Sequence, residues 1–157
     1  MFDKVLVPLD GSKLAECILP YVEALAKDRG AKEIILFRVC ESPEIPADYP
    51  ASMPESWEQH VEQIVKGAQQ QCSLYLGDVE KRMKNLGVKI RIESRLGKAA
   101  DEIVKFADKN QVDLMVIASH GRSGVSKWAF GSVAEKVFHH TCVPVLMIRA
   151  PGCVPGV

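Results

Sequence analysis

Residues 113–132, DLMVIASHGRSGVSKWAFGS, decide how the rest of the chain is read. Leu114-Met115-Val116-Ile117-Ala118 is a short continuous apolar run with β-branched members, the pattern of a parallel strand covered on both faces. It stops at Ser119-His120-Gly121, and Arg122-Ser123-Gly124 keeps the segment small, polar and rich in N–H donors. Beyond nine intervening residues after Gly121 come Gly131-Ser132, just ahead of Val133, Ala134, Val137 and Phe138, which are apolar at helical spacing. Gly131 and Ser132 therefore open a helix. The first amides of a helix lack intrahelical partners and carry the positive end of its dipole, so strand, glycine loop and helix start can together cradle phosphates. A plainer reading uses the same residues: Gly121 and Gly124 as turn residues, and Ser132 as an N-cap. Neither standard nucleotide fingerprint, G-x-x-x-x-G-K-[ST] or G-x-G-x-x-G after a strand, is present.

Upstream, Lys4-Val5-Leu6-Val7-Pro8-Leu9 is a second apolar strand, closed by Asp10-Gly11-Ser12. Ser12 is placed to cap a helix whose apolar positions run from Ala15 to Ala26, with Pro20 predicted to kink it and Gly30 to end it. Glu33 to Cys40 reads as another strand. Residues 41–54 hold Pro43, Pro46, Pro50 and Pro54 and are expected to form a long loop, a flap over the sheet rim or a connection without a ligand role. From Ser56 to Gly87 apolar residues recur at three- and four-residue steps, the pattern of one long amphipathic helix. Residues 88–94 alternate as a strand at an edge or exposed on one face, and Ala99 to Ala107 form the helix that leads into the 114–118 strand. Residues 143–149 are a last strand, and Pro144 at its start suits an edge. A bare apolar edge invites aggregation, so pairing with the same strand of a second copy is expected to cover it.

Strands and helices alternating at this spacing predict an α/β domain over residues 1–150, an open parallel five-stranded sheet with helices on both faces, followed by a short tail at 151–157. In such sheets ligands bind beyond the carboxyl ends of the strands, where strand order reverses. The turns after Leu9, Val39, Leu96 and Ala118 all leave at that rim.

Lys plus Arg equals Asp plus Glu, at 20 each, which gives no chain-wide bias toward nucleic acid or an anionic membrane. No apolar run approaches the roughly 20 residues that span a bilayer, and no signal-peptide pattern opens the sequence, so a cytoplasmic protein is expected. The five cysteines, Cys17, Cys40, Cys72, Cys142 and Cys153, include no C-x-x-C pair and read as reduced core thiols. His139-His140 falls in the last turn of a helix, where capping suits the dipole better than chelation. His120 lies in the glycine loop itself, as a turn residue or as a group that polarises phosphate.

In its motifs the chain resembles the universal stress protein family. The resemblance rests on the segment from Lys4 to Ser12, Gly97 before a helix, Ala118 to Gly124, Gly131 to Val137, and Val143 to Arg149. The family's nucleotide-binding branch carries G-x-x-G-x9-G-[ST], aligned here as Ala118-Ser119-His120-Gly121, nine residues, Gly131-Ser132, with alanine in place of the first glycine. The resemblance implies a Rossmann-like, adenine nucleotide alpha hydrolase-like fold holding ATP or AMP. Pro8, Asp10 and Val39 would line the adenosine side, with Val39 offering backbone groups to the adenine edge. Ala118, Gly121 and Arg122 would meet the ligand from the loop, and Gly131, Ser132 and Val133 from the helix start. Arg122 and Lys127 would add positive charge near the phosphates or else lie in solvent. Mg²⁺ would ride on the phosphates, since no dedicated ligand cluster is visible. The implied function is that of a nucleotide-binding regulatory homodimer of the stress response. Its alternatives are slow ATP hydrolysis using His120 or Asp10, and a stress interaction protein without ligand.

Overall fold

The structure is a computed structural model that describes residues 2–41, 55–120 and 130–149. Five parallel strands, β1 (Lys4–Pro8), β2 (Glu33–Cys40), β3 (Lys89–Leu96), β4 (Leu114–Ala118) and β5 (Val145–Ile148), lie in the order β3-β2-β1-β4-β5. Among the described residues the α-helices are α1 (Leu19–Arg29), α2 (Glu55–Met83), α3 (Ala99–Lys109) and α4 (Ser132–His140). Side chains of successive strand residues point to opposite faces, so each inner strand serves two cores. Val5, Val7, Ile34, Leu36 and Val116 pack with Ile18, just ahead of α1, with Val22 of α1 and with Leu76, Val79 and Met83 of α2. Leu6, Ile35, Phe37, Met115 and Ile117 pack with Ile103 and Phe106 of α3 and Val137 of α4 on the other side. The continuous apolar runs at 5–7, 34–37 and 114–118 are thus covered on both faces, and the alternating residues of β3 lie at an edge, as expected.

Three expectations are corrected. Pro20 does not kink a helix: a 3₁₀ turn, Ala15–Ile18, precedes α1, and Pro20 falls in the first turn of α1, where its missing N–H has no partner to lose. Gly30 does end α1, in the left-handed conformation at φ 68°. β5 is shorter than the expected 143–149. Its first ladder bond toward β4 comes from the Pro144 carbonyl, which accepts the Met115 N–H at 2.9 Å. The cysteines are not all reduced core thiols: Cys40 and Cys72 are joined as a disulfide, and Cys142 is exposed. Nothing in the sequence marks that pair, because 32 residues separate the end of β2 from the α2 position facing it. The proline-bearing segment from 42 to 54, the tail at 151–157 and Cys153 lie outside the described residues.

Candidate functional site

The chain builds β1, β2 and β3 outward in one direction, then crosses back to set β4 on the other side of β1. The turns after β1 and β4 therefore diverge, and a cavity of about 260 Å³ opens between them at the carboxyl ends of the strands.

On the β1 side the wall is a preformed turn. The Asp10 carboxylate accepts bonds from the Ser12 N–H at 2.8 Å and the Ser12 hydroxyl at 2.7 Å, and the Ser12 Oγ accepts the Ala15 N–H at 3.1 Å. Asp10 thus carries out the turn-stabilising role read from the sequence while also lining the cavity. Gly11 sits at φ +89°, and a Cβ there would stand 2.8 Å from an Arg38 guanidinium nitrogen. That guanidinium lies over the Tyr75 ring, 4.8 Å from its centroid. The Tyr75 hydroxyl donates to Glu16 at 3.2 Å, and Arg82 donates to the same carboxylate at 3.0 Å. The Arg82 bond, joined by one from Lys13, holds the Glu16 carboxyl below its ordinary value. Burial, together with the Glu16 charge, pushes the Tyr75 hydroxyl up.

β2 supplies the floor. The Phe37 carbonyl accepts the Leu9 N–H at 2.8 Å on the β1 side, and the Cys40 carbonyl accepts the Gly97 N–H at 3.2 Å on the β3 side. Backbone groups alternate sides along a strand, so the N–H and C=O of Val39 are turned toward β1 just where the chain has left that position at Asp10. They face the cavity.

On the β4 side, Ser119 donates its N–H to Ile148 and accepts the Gly131 N–H on its carbonyl, each at 2.8 Å. Gly131 is therefore a tether fastening α4 to the end of β4, not a donor to a ligand. The amides aimed outward are those of the first helical turn, Ser132, Val133 and Ala134, and Gly131 makes no side-chain cap. His120 is buried at 5% exposure, its Nδ1 3.0 Å from the Ser119 Oγ, and lines the cavity.

Pro8, Asp10, Val39, Ala118, Gly131, Ser132 and Val133 are all brought to this one cavity. Gly121, Arg122 and Lys127 lie outside the described residues. Phe37, Glu41, Ala99 and Ile103 also line it and were not singled out from the sequence. Period two from Val39 points to Phe37 and Glu41, and the i,i+4 spacing of Ala99 and Ile103 marks one face of α3, so the signal was present. The lining is divided by chemistry. Phe37, Ile103 and Ile117 form an apolar slab, Asp10 and Glu41 put carboxylates on the β1–β2 side, and the α4 amides stand opposite. Among the described residues no cluster of three or more His, Cys, Asp or Glu is arranged to hold a metal ion. His140, in the last turn of α4, places its Nδ1 2.8 Å from the Lys136 carbonyl, the end-of-helix role expected of that pair.

A doubly wound, Rossmann-like α/β protein with a crevice at its switch point is the class that fold and site define. Residues 1–149 match the sequence profile of the Universal stress protein family, and the chain belongs to that family. It is 32% identical over 151 residues to the universal stress protein MJ0531 of Methanocaldococcus jannaschii, covering 96% of this chain and 84% of that protein. The solved structure of the M. jannaschii protein MJ0577 superposes with a TM-score of 0.83 at 28% identity, covering 97% of this chain and 99% of that one. An Arabidopsis thaliana member solved with AMP bound shares the fold at a TM-score of 0.62 and 17% identity, over 95% of this chain and 92% of its own.

Proposed function

We propose that this protein binds an adenine nucleotide, ATP or AMP, in the switch-point cavity and acts as a regulatory member of the stress response in the cytoplasm. The observation that carries the reading is the opposition of two sets of backbone groups across the cavity: the Val39 N–H and C=O on one wall, and the first-turn amides of α4 on the other. The first set matches the edge of adenine and the second the phosphate oxygens. The carboxylates of Asp10 and Glu41 keep the phosphates away from the β1–β2 side and hold the nucleotide in one orientation. Mg²⁺ would reach the site on the phosphates themselves. The AMP held by the Arabidopsis relative supports the same choice of base.

Mass spectrometry of the small molecule that co-purifies with the protein, followed by calorimetry with ATP, AMP and GTP, tests this. An adenylate in the first experiment and heat with adenine nucleotides in the second are expected. No heat at millimolar ATP or AMP would leave a stress interaction protein without ligand. The burial of His120 in the cavity wall favours a second reading, slow ATP hydrolysis. Turnover with Mg²⁺ that His120→Ala abolishes would establish it.

The exposed edge of β5 is the surface through which two copies would pair. Leu146 of that strand and Phe138 of the adjoining helix α4 are large apolar side chains left in solvent.

A further inference from the structure

We propose that Cys40 and Cys72 form a reversible thiol–disulfide site that fastens α2 to the rim of the nucleotide cavity. Cys40 is the last residue of β2, and its neighbours Val39 and Glu41 both line the cavity. Cys72 is the point at which α2 enters the core: the described side chains before it, from Trp57 onward, are half-buried or exposed, and the buried ones are Cys72, Leu76, Val79 and Met83. The Cα atoms of the pair are 6.3 Å apart, within the range a bridge spans, so the folded backbone already holds the two residues at bonding distance. The C-terminal half of α2 is held separately, by its own core residues and by the Tyr75–Glu16–Arg82 bonds. Opening the bridge therefore releases only residues 57–71.

The tie reaches both walls of the cavity. Tyr75, one turn beyond Cys72, carries the Arg38 guanidinium, and Arg38 packs against the bare Cα of Gly11 beside Asp10. Cys40 fixes the Val39–Glu41 wall directly. The effect on ligand affinity rests on the nucleotide reading above, whereas the effect on α2 does not.

A small-molecule disulfide is the oxidant. A thiolate of the pair attacks it, forming a mixed disulfide and releasing one small thiolate. The second protein thiolate then attacks the protein sulfur, closing Cys40–Cys72 and releasing the other. Two protons leave the cysteines, two electrons pass to the small disulfide, and a dithiol reverses both steps. Both cysteines are buried, at 3% and 4% exposure, so exchange proceeds through an opening of the N-terminal half of α2.

The native full chain should be treated with oxidised glutathione or with dithiothreitol and then differentially alkylated. The oxidised form should be lighter by two hydrogens, with Cys40 and Cys72 protected from alkylation. Amide hydrogen exchange across 57–71 should slow by about tenfold relative to the reduced form. Adenylate affinity should rise in the oxidised form, and dithiothreitol should reverse every change. Cys40→Ser and Cys72→Ser should each abolish the response, while Cys17→Ser and Cys142→Ser should retain it. Alkylation of both thiols after oxidant, or a bridge that forms without altering exchange at 57–71, overturns the proposal. Redox-dependent exchange with no adenylate binding in either form would overturn the proposed function and leave this site standing.

Discussion

At the scale of single residues, the β1 turn concentrates several constraints. Gly11 meets two at once: a left-handed backbone, and a guanidinium where any Cβ would lie. Gly11→Ala is expected to cost about 1–3 kcal/mol and to weaken adenylate binding, since Arg38 must withdraw from the turn that presents Asp10. Urea unfolding and calorimetry on the same variant check the two effects. Glu16 makes a pH prediction. Its side chain is only 10% exposed, and its folded carboxyl lies below the ordinary glutamate value of 4.5 because Arg82 and Lys13 donate to it. A folded value below the unfolded one gives stability that is present above the unfolded value and lost as pH falls through the folded one. Glu16→Gln should therefore be less stable at neutral pH and show a shallower loss of stability below about pH 4.5 in acid titrations monitored by circular dichroism. Much at this scale was legible in the sequence. Asp10 next to a glycine and Ser132 at a helix start each carry a local signature of their place in a turn and a first helical turn, whereas Val39 was pointed to only by the family resemblance. Gly131 was only half legible, because its amide is spent on Ser119 through a tertiary contact that no local pattern announces. Arg38 was missed for the same reason: its partners are Gly11 and Tyr75, far away in the chain.

At the scale of elements, hydrophobic periodicity carried most of the reading. Continuous runs became inner strands, the alternating run became the edge strand β3, and the stripe from Trp57 to Leu86 became α2 and its closing 3₁₀ turn, ended by the left-handed Gly87. The exception is α1, where three- and four-residue spacings overlap and a 3₁₀ turn looks like the start of an α-helix. The difference changes the sign of an expected effect. A proline in a helix interior would be destabilising, and replacing it would help. In the first turn Pro20 costs no bond, so Pro20→Ala should lower stability by about 0.4–1 kcal/mol by loosening the unfolded chain. A lower midpoint in thermal unfolding is the expected result, and a higher one would argue for the kinked helix.

At the scale of the whole molecule, the open parallel sheet followed from the alternation of strands and helices, whereas the strand order β3-β2-β1-β4-β5 rests on tertiary pairing that the alternation does not specify. The edge strands were recognisable by Pro144 at one end and alternating polarity at the other, yet no single sequence says which edge meets a second copy. Pairing through β5 predicts that Leu146→Lys yields a species of half the mass in sedimentation, with the fold unchanged by circular dichroism. Along the seam that joins the two halves of the sheet, β1 and β4 share the paired positions Val5–Leu114 and Leu6–Met115, whereas β2 and β3 run together for their whole length. A guest gripped by Val39 on one flank and by α4 on the other would rivet the two halves together above that short join. Resistance to heat would then report occupancy: a saturating adenylate at a hundred times its dissociation constant should add about 2.7 kcal/mol, read as a rise in melting temperature that scales with nucleotide concentration.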